Sequence, residues 1–451
     1  MTKQAANSAK TLIVGLGATG LSCARYLAAQ GESLAVTDTR ENPPGLEALR
    51  KDYPDMAIFL GGFQAEVFHA ASRLVVSPGI PLDEPLIRAA KERHVEIVGD
   101  VELFARAVQA PVVAITGSNG KSTVTTLLGD MARMAGIRVA VGGNLGEPAL
   151  DLLDDQVDLY VLELSSFQLE STLSLKPQAA VVLNISADHM DRYRDLDEYA
   201  ATKASLYSGS EIMVINRDDP IVAAMAVPDA ATVGFTLEAP TGDDFGLHEL
   251  DGVKWLSEGH TPLIPVTELR IPGRHNIANA LAALALGSAV GLPQNDMLAA
   301  LRSFSGLPHR TQWICDKGEV RWYNDSKGTN VGATIAALQG LHPESGDSRS
   351  VLIAGGDCKD ADFTPLAPVV EETARAVILI GRDASELESA LAGRVRTEHA
   401  ASLETAVALA AELAQPGDRV LLSPACASFD MFRNFEARGE AFIQAVEALP
   451  A

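Results

Sequence analysis

Cysteine is scarce in this chain and poorly placed for staples or metals: Cys23, Cys315, Cys358 and Cys426 lie far apart and include no CxxC pair. That argues against a disulfide framework and a structural zinc site, and leaves buried, reduced thiols as the expectation. Basic residues are also short, 36 Lys and Arg against 59 Asp and Glu, giving a formal net charge of −23. Clustered cations supply most of the grip on a phosphate backbone, so nucleic acid is not expected as a partner, and the same field opposes anionic membranes. Long apolar runs are missing. No stretch would span a bilayer, and the start, MTKQAANSAKT, lacks the charged residues and apolar run of a secretory leader. The expectation is a cytoplasmic protein with no membrane insertion. No internal repeat or low-complexity tract is present.

What is there suits a folded, multidomain protein. A length of 451 residues exceeds the range over which one core keeps growing, and 47% apolar against 21% charged residues leaves enough core to fold. Short β-branched runs alternate with Ala/Leu-rich segments of helical length, the pattern of βαβ units around mostly parallel sheets. Strands are expected at 11–14, 34–37, 74–77 and 96–98, then at 111–116, 157–162, 179–184 and 212–215, and finally at 351–354, 377–380 and 420–422. Helices are expected at 20–30, 276–290 and 296–304, and weak strands and loops over 238–265. The class is α/β in three domains: dinucleotide-fold-like units at 1–110 and 307–451 flank a central ATPase-type unit at 111–306 with a phosphate loop and a mainly parallel sheet.

Gly117-Ser118-Asn119-Gly120-Lys121-Ser122-Thr123 falls between a strand and a helix, where stacked N–H groups and a lysine can cradle nucleotide phosphates and Ser122 can hold Mg²⁺. Ile115 stands where the longer phosphate-loop pattern has glycine, so the match is to a shorter GxxGKST variant. A chance GKS in a turn is the plain alternative; the strand-to-helix junction favours the nucleotide site. Glu163 ends an apolar strand downstream, where a Mg²⁺ ligand is expected. The run 188–192, Asp-His-Met-Asp-Arg, follows another strand end, with His189 its sharpest candidate. Gly15-Leu16-Gly17-Ala18-Thr19-Gly20 matches GxGxxG, with Asp38 ending the next strand. Alone it suggests NAD, but the separate phosphate loop favours a second nucleotide-diphosphate site. Lys327 and Lys359, each in a glycine-containing loop after a strand, form with Arg310 a cationic rim for an anionic ligand. The turn 423–428, Ser-Pro-Ala-Cys-Ala-Ser, adds hydroxyl and backbone donors.

Taken in order, TGSNGKST (116–123), ELSSFQL (163–169), DHMDRY (188–193), HNIANALAA (275–283), LPHR (307–310), NDSKGTN (324–330), GGDCKDADF (355–363) and SPACASFDMF (423–432) resemble the Mur ligases of peptidoglycan synthesis over nearly the whole chain. The resemblance implies an ATP- and Mg²⁺-dependent ligase acting on UDP-N-acetylmuramoyl-L-alanine and D-glutamate, expected as a monomer. It assigns the UDP portion to Thr19, Asp38, Thr39, Arg40 and Gly79, which displaces NAD, and the rest of that substrate to Asn144 and His189. Residues 117–123 with Asn279, Arg310 and Asp325 would hold ATP. Lys121, Glu163, His189 and Lys203 would be catalytic; Ser122, Glu163, His189 and Lys203 as a carbamate would serve the metal. Thr329, Lys359, Ser428, Phe429 and Phe435 would meet D-glutamate. Two departures stand out: Cys358 inside GGD-x-K, and Gly328, more permissive than alanine, in the NDSK loop.

The implied mechanism activates the acceptor carboxylate as an acyl phosphate, which the amine of D-glutamate then attacks. Folylpolyglutamate synthase shares the short phosphate loop and also extends a carboxylate with glutamate, but its substrate carries no UDP. A non-catalytic nucleotide-binding regulator is the alternative from another class.

Overall fold

The computed structural model describes residues 11–271, 273–342, 347–358 and 361–449. Its first sheet holds β1 (Thr11–Val14), β2 (Leu34–Asp38), β3 (Ala57–Leu60), β4 (Arg73–Val76) and β5 (Glu96–Val98), all parallel in the order β3-β2-β1-β4-β5. β1 and β2, TLIV and LAVTD, are buried at every position, as strands covered on both faces must be.

The central sheet holds β6 (Val112–Thr116), β7 (Val139–Gly143), β8 (Leu159–Glu163), β9 (Ala179–Val182), β10 (Ile212–Asn216), β11 (Thr232–Phe235), β12 (Phe245–Leu250), β13 (Val253–Glu258) and β14 (Thr261–Pro265). Their order is β14-β13-β12-β11-β10-β9-β6-β8-β7. β6 to β11 run parallel, and β12 to β14 add an antiparallel meander at one edge. That meander occupies the region expected as weak strands and loops. Its strands are only partly buried, so their apolar positions never form the continuous runs that marked the parallel strands.

The third sheet holds β15 (Gln312–Lys317), β16 (Val320–Asn324), β17 (Ser350–Gly355), β18 (Ala374–Ile380), β19 (Arg396–His399) and β20 (Arg419–Leu422), in the order β15-β16-β20-β17-β18-β19. β15 pairs antiparallel with β16; the remaining pairs are parallel. Among the described residues no helix is long and apolar enough to cross a membrane.

Helix Lys121–Met134 follows β6. Val124, Leu127, Leu128 and Met131 repeat at i, i+3, i+4 and i+7, so one stripe is buried, and it packs on helices Arg274–Ala289 and Gln294–Ser303. Cutting one of these leucines to alanine would cost about 2–5 kcal/mol, enough to loosen the helix start that carries the glycine turn. In each sheet the strands that matter for chemistry are neighbours: β2-β1-β4, β9-β6-β8 and β16-β20-β17. Their carboxyl ends therefore deliver sequence-distant loops to one place, as open α/β sheets do.

Candidate active site

The turn 116–120 joins β6 to helix Lys121–Met134. Gly117 and Gly120 sit at φ +143° and +84°. A Cβ on Gly120 would lie 2.4 Å from Asn279 Oδ1, and one on Gly117 would lie 3.0 Å from Leu183 Cβ, so both positions demand glycine. Gly120 is the N-cap and no side chain caps the helix, which leaves its first N–H groups for an anion. Asn184 fixes the turn: its Oδ1 accepts from the Asn119 N–H (2.8 Å) and its Nδ2 donates to the Asn119 carbonyl (3.1 Å). Lys121 Nζ donates to the carbonyls of Gly117 (2.8 Å) and Ser118 (2.9 Å).

β8 pairs with β6 so that Glu163 lies opposite Ile115, one residue before the turn. Ser122 Oγ donates to Glu163 Oε2 (2.5 Å), Asn144 Nδ2 donates to Oε1 (2.7 Å), and Arg310 Nη2 donates to Ser122 Oγ (2.6 Å). Burial alone would raise the Glu163 carboxyl, but Lys121, Ser122, Asn144 and Arg310 outweigh it and hold it below the usual range. Lys121 and Arg310 are shifted down by burial, against which Glu163 acts. Beneath the turn, Lys203 is 1% exposed; its Nζ donates to Thr116 Oγ1 (3.3 Å) and stands 4.6 Å from the Tyr199 ring centroid. Burial, then the nearby Lys121, hold its pKa well below an ordinary lysine's.

His189 takes a positive φ of 56°, rests on Phe167 with ring centroids 4.8 Å apart, and has Nε2 3.8 Å from Asp188 Oδ2. Its neighbour Arg192 stacks on the same Phe167 ring, pairs with Glu170 (2.6 Å) and donates to the carbonyls of Pro78 and Ile80, both at 3.4 Å. The loop after β4 is thereby tied to the loop after β9. Among the described residues no three His, Cys, Asp or Glu side chains converge as a metal cluster.

At the end of the first sheet, Asp38 accepts from Leu16 N–H (2.7 Å) and from Arg40 through the backbone N–H (2.9 Å), Nε (2.9 Å) and Nη2 (2.7 Å). Burial works against the charged form of Asp38, yet Arg40 and the N–H groups outweigh it and keep the carboxyl low. Thr19 lies in the first turn of helix Ala18–Ala29, and Thr39, Arg40 and Gly79 are exposed.

In the third unit, Asp325 accepts from Thr311 N–H (2.9 Å) and Ser423 Oγ (2.7 Å), and burial pushes its carboxyl up to about 6. Lys327 Nζ lies 4.1 Å from the Phe435 ring centroid, and burial lowers it to about 8. Asn330 reaches across: its Nδ2 donates to Asn119 Oδ1 and to Asp188 Oδ2, both at 3.2 Å, while its Oδ1 caps helix Val331–Leu341 through Ala333 N–H (2.8 Å).

Two cavities share a wall. One of about 300 Å³ is lined by Asn119, Gly120, Thr123, Asn279, Arg310 and Asp325. The other, about 690 Å³, takes in Lys121, Asn144, Glu163, His189, Lys203 and Thr329. Asn119, Gly120, Arg310 and Lys327 border both. The structure thus assembles most of the residues expected at the nucleotide and metal sites. The expected amino-acid set assembles less well. Phe429 is 67% exposed, Ser428 is buried with its carbonyl accepting from Phe432 N–H (2.8 Å), and the Phe435 carbonyl accepts from Ser326 Oγ (2.8 Å); none of the three lines either of these two cavities. Lys359 lies outside the described residues. Asn330 was missed in the sequence, although it carried a signal as an N-cap type before an apolar helix; Arg192 was seen only within the 188–192 run and Lys327 only within the cationic rim, without these contacts.

Family models for "Mur ligase MurD-like, N-terminal domain", "Mur ligase middle domain" and "Mur ligase, glutamate ligase domain" match residues 9–99, 115–287 and 309–426. A UDP-N-acetylmuramoylalanine--D-glutamate ligase of Nitrosococcus oceani is 57% identical over 443 residues, 98% of this chain and 97% of that one. Among solved structures, UDP-N-acetylmuramate-alanine ligase MurC of Thermotoga maritima superposes with a TM-score of 0.61 at 18% identity, covering 97% of this chain and 99% of that chain. E. coli FolC in complex with DHPP and ADP reaches 0.58 at 19% identity, over 78% of this chain and 94% of that chain. These two likenesses concern the fold alone. The matches along the whole sequence decide the family: the chain belongs to the Mur ligases.

Proposed function

We propose that the chain joins D-glutamate to UDP-N-acetylmuramoyl-L-alanine at the cost of one ATP, through an acyl phosphate, with release of ADP and phosphate. The observation that carries the nucleotide half is the shared wall: Asn119, Gly120, Arg310 and Lys327 border both cavities, Lys121 and Glu163 line the larger one, and Ser122 links Arg310 to Glu163. The smaller cavity takes the nucleoside beside Asn279 and Asp325, and the larger one takes the acceptor carboxylate.

The residues fit a magnesium–triphosphate. The turn is a cradle that a Cβ at Gly120 would fill, and its oxygen donors are hard ones, Ser122 Oγ and Glu163. Magnesium bound to phosphate oxygens and water needs only one or two carboxylates, so the lack of a larger cluster is no obstacle. When bound there, it neutralises charge on the transferring phosphoryl group. Lys121 and Arg310 do the same from the protein side, and the uncapped N–H groups at the start of helix Lys121–Met134 orient the phosphates. A carboxylate oxygen of the acceptor forms the new bond to phosphorus as ADP leaves. The amine of D-glutamate then attacks the acyl carbon, loses its proton, and phosphate departs.

Lys203 suits carbamylation because burial holds its amine well below an ordinary lysine's range and so favours the neutral form that attacks CO₂; the product would be an anion facing the metal site. We assign residues 1–110 to the UDP-linked substrate, with Thr19, Asp38, Thr39, Arg40 and Gly79 as its contacts and Asn144 and His189 nearer the reacting end. Residues 111–306 take ATP, and 307–451 take D-glutamate near Thr329, Lys359, Ser428, Phe429 and Phe435. The test is phosphate release by purified protein. It should require both acceptor and D-glutamate, and UDP should compete with the acceptor. Release with a folate acceptor in place of the UDP-linked one, or at equal rate with either partner omitted, would overturn the assignment.

A further inference from the structure

Cys358 and Cys426 are 68 residues apart in sequence, yet the fold sets them face to face. Asp357 and Ala427 form an isolated antiparallel bridge and exchange both hydrogen bonds, Asp357 N to Ala427 O (3.0 Å) and Ala427 N to Asp357 O (2.9 Å). The next pair along such a ladder, 358 opposite 426, is the one without backbone hydrogen bonds, where Cα atoms approach to about 4.5 Å and side chains stand nearest. That spacing lies within the range of about 4.4–6.8 Å that a disulfide spans. The two Sγ atoms are 2.9 Å apart. Both residues are buried, but Cys358 lines the larger cavity beside Asp357 and Ala425, so a small oxidant reaches it from the site. Cys426, held protonated by its hydrogen bond to Cys358 and by burial, is placed to act second. The other cysteines lie elsewhere, Cys23 on helix Ala18–Ala29 and Cys315 on β15.

We propose that Cys358 and Cys426 form a reversible oxidation site: hydrogen peroxide converts them to a disulfide that pins the loop after β17 to the loop after β20 and suppresses ligation. The effect on ligation rests on the reading above that D-glutamate is held by Lys359 and Ser428, next to these sulfurs in sequence; the covalent step does not. In that step the sulfur of Cys358 attacks one peroxide oxygen and the O–O bond breaks. The departing hydroxide takes up the thiol proton as water, leaving a sulfenic acid. The sulfur of Cys426 then attacks the sulfenic sulfur, the S–O bond breaks, and the hydroxyl leaves with the Cys426 proton as a second water. The two thiols lose two electrons and peroxide gains them. Bond formation draws the sulfurs in to about 2.05 Å, and placement errors near 1 Å in a reacting geometry cost about 10²-fold, so a loss of about tenfold or more in turnover is expected.

The experiment treats the reduced full-length protein with hydrogen peroxide. It counts thiols with a maleimide after denaturation, maps cross-linked peptides by mass spectrometry, and follows phosphate release before and after dithiothreitol. The expected result is loss of two of the four thiols, one peptide joining Cys358 to Cys426, and turnover that falls and then returns with dithiothreitol. Cys358→Ala and Cys426→Ala should each abolish the cross-link and the dithiothreitol-reversible part of the loss. Four surviving thiols, or a cross-link through Cys23 or Cys315, would overturn the site. A Cys358–Cys426 disulfide in a protein that turns over unchanged would overturn the switch. Reduced protein that releases no phosphate with D-glutamate would instead refute the function proposed above, with the peptide map still deciding the disulfide.

Discussion

Two strand-turn-helix units of this chain begin alike and end differently. After β1, Gly15 sits at φ +93° and helix Ala18–Ala29 starts without a side-chain cap; after β6, Gly117 and Gly120 sit at +143° and +84° and helix Lys121–Met134 is likewise uncapped. The first turn is closed on its own fold, since a Cβ on Gly15 would lie 2.9 Å from Ser77 Cβ and one on Gly20 would lie 1.9 Å from the Gly15 carbonyl oxygen. Its charges, Asp38 and Arg40, satisfy each other. The second turn receives Lys121 from its own helix, Glu163 from β8 and Arg310 from the segment before β15, so two cations and one carboxylate meet at its mouth. Glycine spacing therefore specifies only a turn with open N–H groups. The charges brought in from neighbouring strand ends decide which phosphate ligand the turn takes.

The contrast breaks first at Lys121. If that ammonium is what makes the second turn a phosphoryl-transfer site, Lys121→Ala should lower turnover about 10²–10³-fold while circular dichroism and the unfolding midpoint stay at parent values. Turnover within about twofold of the parent would erase the distinction between the turns. Lys203→Ala should cost about 10²-fold, and short-chain carboxylates should restore part of it by standing in for the carbamate. A loss that carboxylates leave untouched would make Lys203 a packing residue beneath Thr116.

Much of this contrast was legible in the sequence, for a physical reason. Parallel strands covered on both faces must be apolar throughout, so TLIV, VVAIT and SVLIAG announced β1, β6 and β17, and each is buried at every position. Residues at the ends of such strands, Glu163 and Asp38 among them, became candidates because each follows a glycine turn earlier in the chain. Half-buried β3, glycine-ended β7 and β19 were not legible, and the β12–β14 meander was legible only as weak strands and loops, because their burial is partial and their patterns are mixed. Nor were contacts between loops of different sheets. Asn330 meeting Asn119 and Asp188, Arg192 meeting Pro78 and Ile80, and the pairing of Cys358 with Cys426 all depend on tertiary register, which no local spacing encodes.

The first turn offers a smaller effect. Arg40→Ala removes the partner that holds Asp38 in two-pronged contact, and the KM for the UDP-linked acceptor should rise about tenfold with kcat and the KM for ATP unchanged. A matching rise in the KM for ATP would mean that the two turns do not serve separate ligands.

The mildest test uses pH, and Lys327 sets its sign. Burial, then the nearby Arg310, lower this ammonium to about 8, with Glu163 opposing. An unfolded chain would hold that proton to about 10.4, so between these values the unfolded state binds more protons and folding stability gains as pH rises. Nucleotide binding should run the other way, because a triphosphate beside Lys327 favours the charged form, which is full only below about 8 and fades above it. Affinity for a non-hydrolysable ATP analogue, measured by calorimetry, should therefore weaken several-fold from about pH 7 to about pH 9, by less than the tenfold per unit that one titrating group allows. Lys327→Met, which keeps an unbranched apolar side chain beside Phe435 and removes the charge, should bind more weakly at neutral pH and flatten the profile. An affinity in the parent that stays constant across that window would take Lys327 out of the nucleotide's field. The second turn would then be left to Lys121 and Arg310 alone.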